Sequence, residues 1–187
     1  VARKHGATTF MAAHAALVVV LARLSGTDDI TVGTPISGRG DAALDDLVGM
    51  FVNTLVLRSD YVPGRPFSTH LELTKAVDLD AFEHADVPFE SIVDAVSPPR
   101  SAAHHPLFQV LLAFQNHERA SIALPGLHIE SVEAQTGIAK FDLQFTVADN
   151  ATDDGRWLVG VDYAADLFDE STVSALAAGA RSEHHVL

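Results

Sequence analysis

The chain has 187 residues, no cysteine, 48% hydrophobic and 20% charged residues, enough apolar material for one core and too much for a disordered chain. Without cysteine it can form no disulfide, thiolate metal site or thiol nucleophile, which suits a reducing, cytoplasmic setting. Its 25 acidic residues against 12 basic ones, a net charge of −13 with histidine neutral, would repel phosphate backbones and anionic membrane surfaces, so no nucleic acid and no membrane is expected as a partner.

The longest apolar stretch, Phe10 to Ala22, is broken only by His14 and at 13 residues falls short of the ~20 needed to span a bilayer. No small-residue cleavage site follows it, so it does not read as a signal peptide. Val1 rather than Met opens the chain, in a segment that reads as the tail of a helix, so a piece of something longer is expected. Thr8 and Thr9 are candidate N-caps and Gly26 a candidate C′ residue, predicting a helix over 9–25. Phe10, Leu17, Leu21 and Leu24 share a face with His14, which therefore reads as a core or interface histidine rather than a ligand.

Alternation over 29–36, with Ile30, Val32, Thr34 and Ile36 on one side, predicts a strand that enters a loop at Ser37-Gly38-Arg39-Gly40-Asp41. A second strand is predicted over 51–58, with Val52, Thr54 and Val56 facing one way and Asn53 set among Phe51, Leu55 and Leu57 on the other. A buried amide there would need hydrogen-bond partners. Pro63-Gly64-Arg65-Pro66 precedes a helix that ends near His84. Asp86 is expected to cap a further helix, striped by Phe89, Ile92, Val93 and Val96 and stopped by Pro98-Pro99. A strand over 107–115 would place Phe108, Val110, Leu112 and Phe114 on one face, with Leu107, Gln109, Leu111, Ala113 and Gln115 on the other. Strands are then predicted over 127–132, 140–147 and 157–163, the last two as a hairpin turning at Asp153-Asp154-Gly155. A last helix begins near residue 170, capped by Asp169 and stapled by Phe168 and Val173. The element order, without regular βαβ alternation, repeats or a dividing linker, predicts an α+β fold: a mixed β-sheet with flanking helices.

Generic catalytic motifs are absent: there is no phosphate-cradling glycine pattern, nucleophile elbow or zinc-helix histidine pair. The pairs His104-His105 and His184-His185 read as surface or loop histidines, because adjacent side chains diverge. Asp28-Asp29, Asp45-Asp46 and Asp153-Asp154 read as solvated loop charges. No metal site is expected.

Six runs nevertheless resemble, in order, the condensation domains of nonribosomal peptide synthetases. They are Val-Gly-Thr-Pro-Ile-Ser-Gly-Arg at 32–39, Val-Gly-Met-Phe-Val-Asn-Thr-Leu-Val-Leu-Arg at 48–58, His-Ala-Asp-Val-Pro-Phe-Glu at 84–90, Arg100 to Gln109 with its His-His-Pro-Leu-Phe-Gln, Lys-Phe-Asp-Leu at 140–143, and Asp162 to Asp169. The wording at 51–55 is closer to peptide-forming domains acting on L-configured donors than to epimerisation domains. Met50, Ala85 and His104 depart from the family's commoner residues.

The resemblance implies one of two chloramphenicol-acetyltransferase-like lobes that meet in a V around a tunnel, with residues 1–187 as the C-terminal subdomain. Its partners would be the N-terminal lobe, donor and acceptor carrier proteins and an adjacent adenylation domain. The 4′-phosphopantetheine arms of the carriers would bring a thioester and an amine to a His-His-x-x-x-Asp-Gly motif on the N-terminal lobe. No cofactor would bind this lobe directly, and the lobe alone would be inactive. Neither histidine pair here replaces the motif, since from His104 the Asp and Gly positions hold Gln109 and Val110. Arg39 is implied as the salt-bridge partner of the motif's aspartate. Asn53, Gln109 and Asp142 are substrate-tunnel candidates; satisfying neighbouring backbone is the favoured reading of Asn53 and Gln109, Asp142 is equally an exposed strand residue or a lobe-bridging contact, and the segment 117–140 is expected to include a crossing toward the other lobe. The alternative is a catalytically silent lobe that recruits partner proteins to the synthetase; an independent trimeric acyltransferase is disfavoured by the absent histidine.

Overall fold

Thr8 and Gly26 bracket the first helix. In the computed structural model, which describes residues 1–40, 42–44, 46–99, 101, 104–115, 127, 137–148 and 157–182, Thr8 Oγ1 accepts the Met11 amide at 3.2 Å and Gly26 takes the left-handed conformation at φ 70°. Helix α1 therefore covers Thr9–Ser25, as the sequence predicts. It is buried nearly all round, from Met11 through Val20 with only Ala16 half-buried, which marks it as the central helix of the layer.

Strand β1, Asp29–Ile36, pairs antiparallel with β2, Asn53–Asp60, setting Val32 opposite Leu57 and Ile36 opposite Asn53. At the far end of the pair the Arg58 fork grips the Asp29 carboxylate through two bonds of 2.8 Å and holds that carboxyl below its usual range. Helices α2, Phe67–Glu83, and α3, Phe89–Val96, follow, then β3, Val110–Gln115, β4, Leu143–Ala148, β5, Leu158–Tyr163, and α4, Glu170–Ser182. The sheet order is β2-β1-β3-β4-β5. Strands β1, β3 and β4 run parallel and β4 pairs antiparallel with β5, as expected of the hairpin. The residues proposed for its turn, the predicted strand beyond Leu127 and His184-His185 lie outside the described residues.

One face of the sheet carries Ile30, Val32, Leu112, Leu143, Phe145 and Val147, which pack with Leu17, Val18 and Val20 of α1 and Val173 and Leu176 of α4 into the main core. Fully burying a Val or Leu here contributes roughly 1.5–3 kcal/mol. Phe168 joins the same cluster as Val173, in keeping with the proposed staple.

Four sequence expectations need correction, the shortest being that β4 starts at Leu143 rather than at residue 140. Strand β2 begins at Asn53 and runs to Asp60, two residues later at each end than predicted, because Phe51 is taken by a contact with the loop after β1. Asp86 does not cap α3; Pro88 is the N-cap residue, with no side-chain cap of its own, and the Phe89 amide is instead met by Asn53 of β2. Strand β3 starts at Val110 rather than Leu107, since Leu107 is left-handed at φ 69° and the Phe108 amide turns back to the Pro106 carbonyl at 2.9 Å. That turn resets the pleat. Phe108 does not share a face with Val110 and Leu112; it lies across the sheet against Gly33, with the rings of Phe89 and Phe141 within 5.8 Å and 5.5 Å.

The interior also holds polar groups. His14 is buried, as the sequence reading of a core residue expects, and His70, Thr74 and Asp78 form a buried stripe along α2, with Ser59 of β2 buried too. The His70 ring stacks on Tyr61 at 4.7 Å between centroids, and neither of its nitrogens makes a hydrogen bond of standard geometry.

Two expected outcomes follow. A Cβ at position 33 would fall 2.2 Å from the Phe108 ring, and Phe108 is only 1% exposed, so Gly33→Ala should cost about 1–3 kcal/mol through forced repacking. An unchanged urea midpoint would contradict the contact. Desolvation, helped by the nearby charge of Arg23 and tempered by the Arg65 backbone, pushes the His70 imidazole below its ordinary value. A base depressed in the folded state contributes stability above its unfolded pKa, about 6.5, and loses it as pH falls below that value. Unfolding free energy should therefore fall between pH 7 and pH 5.5. The fall should be shallower in His70→Phe, which keeps the stack and loses the titration; identical slopes in the two proteins would rule His70 out as the source.

Candidate functional site

Because β1, β3 and β4 are parallel, their C-terminal ends share one edge of the sheet, the usual place for a crevice in sheets with parallel strands. The chain leaves β1 there through Ser37, Gly38 and Arg39. Gly38 sits at φ 62°, and a Cβ on it would lie 1.7 Å from the Phe51 carbonyl oxygen. Only glycine allows both the left-handed turn and that approach. The segments after β1 and before β2 are thereby pressed together.

Arg39 fastens them. Its guanidinium lies over the Phe51 ring, 4.2 Å from the centroid, while Nη1 donates to the Leu44 carbonyl and Nη2 to the Leu47 carbonyl at 2.7 Å. Carbonyls and a ring face are dipolar partners, so these contacts orient the cation without neutralising it. Below it lies an open groove of about 470 Å³ walled by Pro35, Ile36, Phe51, Val52, Phe114 and Gln115. Beside the groove, Leu47, Val48, Met50 and Val52 are exposed, Val48 completely. A run of apolar side chains held out into water is a mark of an interaction surface.

Asn53 is half-buried at this edge and fully engaged. Its Nδ2 donates to the carbonyls of Ala85 at 3.1 Å and Val87 at 2.8 Å, and its Oδ1 accepts the amides of Thr54 at 2.9 Å and Phe89 at 3.1 Å. These bonds use both donors and both lone pairs of the amide, so Asn53 brackets the His84–Phe89 segment and caps α3 from another element. Gln109 and Asp142 are placed elsewhere. They precede β3 and β4 at the opposite ends of those strands, where the Leu143 amide donates to the Gln109 carbonyl at 3.3 Å and the Ala164 amide to the Asp142 carbonyl at 3.0 Å. Gln109 lies level with Thr31 in the ladder, about 17 Å along the strand from Ile36 at the rise of a parallel strand. The four sequence candidates do not converge on one site. Gln109 is exposed, with its amide donating to the His105 carbonyl at 3.0 Å.

Two features escaped the sequence reading. His105 is half-buried rather than a free loop residue, among the rings of Phe89, Phe108 and Phe141 at 4.5–5.5 Å, a cluster created by the unsignalled left-handed turn at Leu107. His70, Thr74 and Asp78 at i, i+4 and i+8 line one side of α2, a pattern that periodicity could have revealed. Among the described residues no group of His, Asp and Glu could hold a metal ion, and no helix is long and apolar enough to cross a membrane. Among the described residues the groove lining supplies a cation, a hydroxyl, an amide and apolar walls, without a histidine or carboxylate. It can hold and orient a ligand; a proton acceptor would have to come from outside this lining.

The comparisons with known proteins agree with this geometry. The chain is 50% identical over 174 residues to a probable non-canonical nonribosomal peptide synthetase, CymA, of Salinispora arenicola, covering 93% of this chain and 2% of that protein. The condensation domain of the Monacolin K polyketide synthase MokA superposes with a TM-score of 0.84 at 26% identity, over 97% of this chain and 42% of that one. An X-domain from teicoplanin biosynthesis, solved in complex with OxyB, gives 0.81 at 28%, over 97% of this chain and 40% of that one. The chain thus spans a small part of the curated relatives it matches and under half of these structural neighbours. With residues 1–182 matching the family model for the condensation domain, the chain belongs to the condensation-domain family.

Proposed function

We propose that this chain is the C-terminal lobe of a condensation domain that forms amide bonds between carrier-tethered thioesters in nonribosomal peptide synthesis, in the cytoplasm. The observation that carries this reading is the edge of the sheet where Arg39 is oriented and, among the described residues, not neutralised, over an apolar groove and beside an exposed apolar run. Such an edge suits a second lobe that brings a carboxylate. In the reaction the acceptor amine attacks the donor carbonyl, the C–S bond breaks and the pantetheine thiol leaves, the amine losing one proton. The groove would wall the tunnel on this side, and the proton acceptor would reside in the His-His-x-x-x-Asp-Gly motif of the N-terminal lobe. Donor and acceptor carriers would deliver their 4′-phosphopantetheine arms to the tunnel, with an adenylation domain as neighbour.

A second reading is a lobe that recruits a partner protein. The likeness to an X-domain solved with OxyB favours it, and the exposed apolar run would serve it equally well.

Arg39 separates the two in the complete domain. Losing a partly buried ion-pair partner costs on the order of 3–5 kcal/mol, so Arg39→Ala should lower stability and condensation rate together, with Arg39→Lys a partial rescue because it loses the fork. Arg39 also ties Leu44 and Leu47 within its own lobe. The inter-lobe share is therefore read from a double-mutant cycle with the motif's aspartate, where the double variant should lose much less than the sum of the single losses. Additive losses, or wild-type condensation in Arg39→Ala, would confine Arg39 to its own loop, and a complete domain that shows no condensation with Arg39 intact would favour the recruitment reading.

A further inference from the structure

Behind the groove lies a buried charge-capable pair that the mechanism does not use. His14 of α1 and Asp78 of α2 share a hydrogen bond of 2.8 Å between Nδ1 and Oδ1, with both side chains 0% exposed. Among the described residues, His14 Nε2 and Asp78 Oδ2 have no hydrogen-bond partner. A buried pair that leaves half of its capacity unmet is a poor stabiliser compared with apolar side chains of the same volume; what it can supply is a unique register between two elements.

That register is transmitted by rings. One turn before His14, the Phe10 ring lies 6.1 Å from the imidazole, and it meets Phe82, one turn after Asp78, edge-on at 5.8 Å. The polar rung His14–Asp78 and the aromatic rung Phe10–Phe82 are therefore consecutive ties between α1 and α2. Phe10 also stands perpendicular to Phe114 at 6.0 Å, and Phe114 is a wall of the groove. Edge-to-face pairs are directional, so turning one ring changes the seat of the next.

We propose that His14 and Asp78 are a positioning pair for the groove: by locking α1 against α2 they set Phe10, and through it the orientation of Phe114 in the groove wall. The effect on substrate binding rests on the reading of the groove as a tunnel wall; the ring relay itself does not.

Trp157 is the sole tryptophan and stands edge-on to Phe114 at 6.1 Å, so its emission reports the relay directly. In the 187-residue chain, well below the unfolding temperature, Asp78→Ala should shift the Trp157 emission maximum and weaken the near-ultraviolet dichroism. Asp78→Asn, which keeps an acceptor for the imidazole, should retain both signals. Phe10→Leu should reproduce the shift with the pair intact. Leu57→Ala, a core truncation outside the relay, should lower stability without moving the emission. In the complete domain, Asp78→Ala should raise KM for the carrier-bound substrate roughly tenfold with kcat within about twofold, the pattern of lost ground-state positioning. If Asp78→Ala does not fold, Phe10→Leu and Asp78→Asn decide. Unmoved emission in Phe10→Leu, or in a folded Asp78→Ala, overturns the inference. A shifted emission with unchanged KM upholds the relay and overturns the groove as a substrate wall.

Discussion

The absence of a side chain at residue 33 is the constraint on which the rest of the structure depends. The Phe108 ring occupies the volume a Cβ would need, at distances of 2.2–2.6 Å, and Gly33 pairs directly with Leu111 in the parallel ladder. The ring and the strand that follows it are therefore docked on β1 together. Once β3 lies there, β4 adds parallel beside it, three strand ends converge on one edge, and the loop carrying Arg39 emerges where the groove is. The left-handed Leu107 serves the same docking, since it swings Phe108 to the face of the sheet opposite Val110 and Leu112. Contacts of this kind act through packing density rather than through any single strong bond.

Local signals were sufficient wherever the cause of an element is local. Thr8, Gly26 and the periodicity between them define α1, and alternation defines β1 and the β4–β5 pair. They were insufficient where the cause is remote. Asp86 has the right chemistry for a cap and is not used, because Asn53, 36 residues from Phe89, takes the task. The same amide shows why its role was open from sequence: a polar residue on an apolar strand face must find partners, but only the fold says whether these are backbone or substrate. Gln109 and Asp142 failed to join Arg39 for a related reason. Strand parity assigns a face and says nothing about which end of a parallel strand lies next to which loop.

On the proposed reading the chemistry is divided between two lobes, in a way that the groove makes intelligible. A cation held by a ring and two carbonyls keeps its charge available outward, and apolar walls exclude water from whatever lies against them, which strengthens that charge. Preorganisation of this kind costs nothing at the moment of reaction because folding has already placed the groups. On the proposed reading a lobe built this way contributes orientation and field, and membership of the condensation-domain family is consistent with chemistry completed by groups from outside it.

The central claim is that the strand C-terminal edge is the face this chain presents to a second lobe. Hydrogen–deuterium exchange tests it most directly, comparing the chain alone with the chain bound to a separately expressed N-terminal lobe. The expected result is added protection at 37–39, 47–52 and 113–115, with α4 unchanged. Protection confined to α4 or to the Gln109 and Asp142 end of the sheet, with the Arg39 edge exchanging as before, would contradict it.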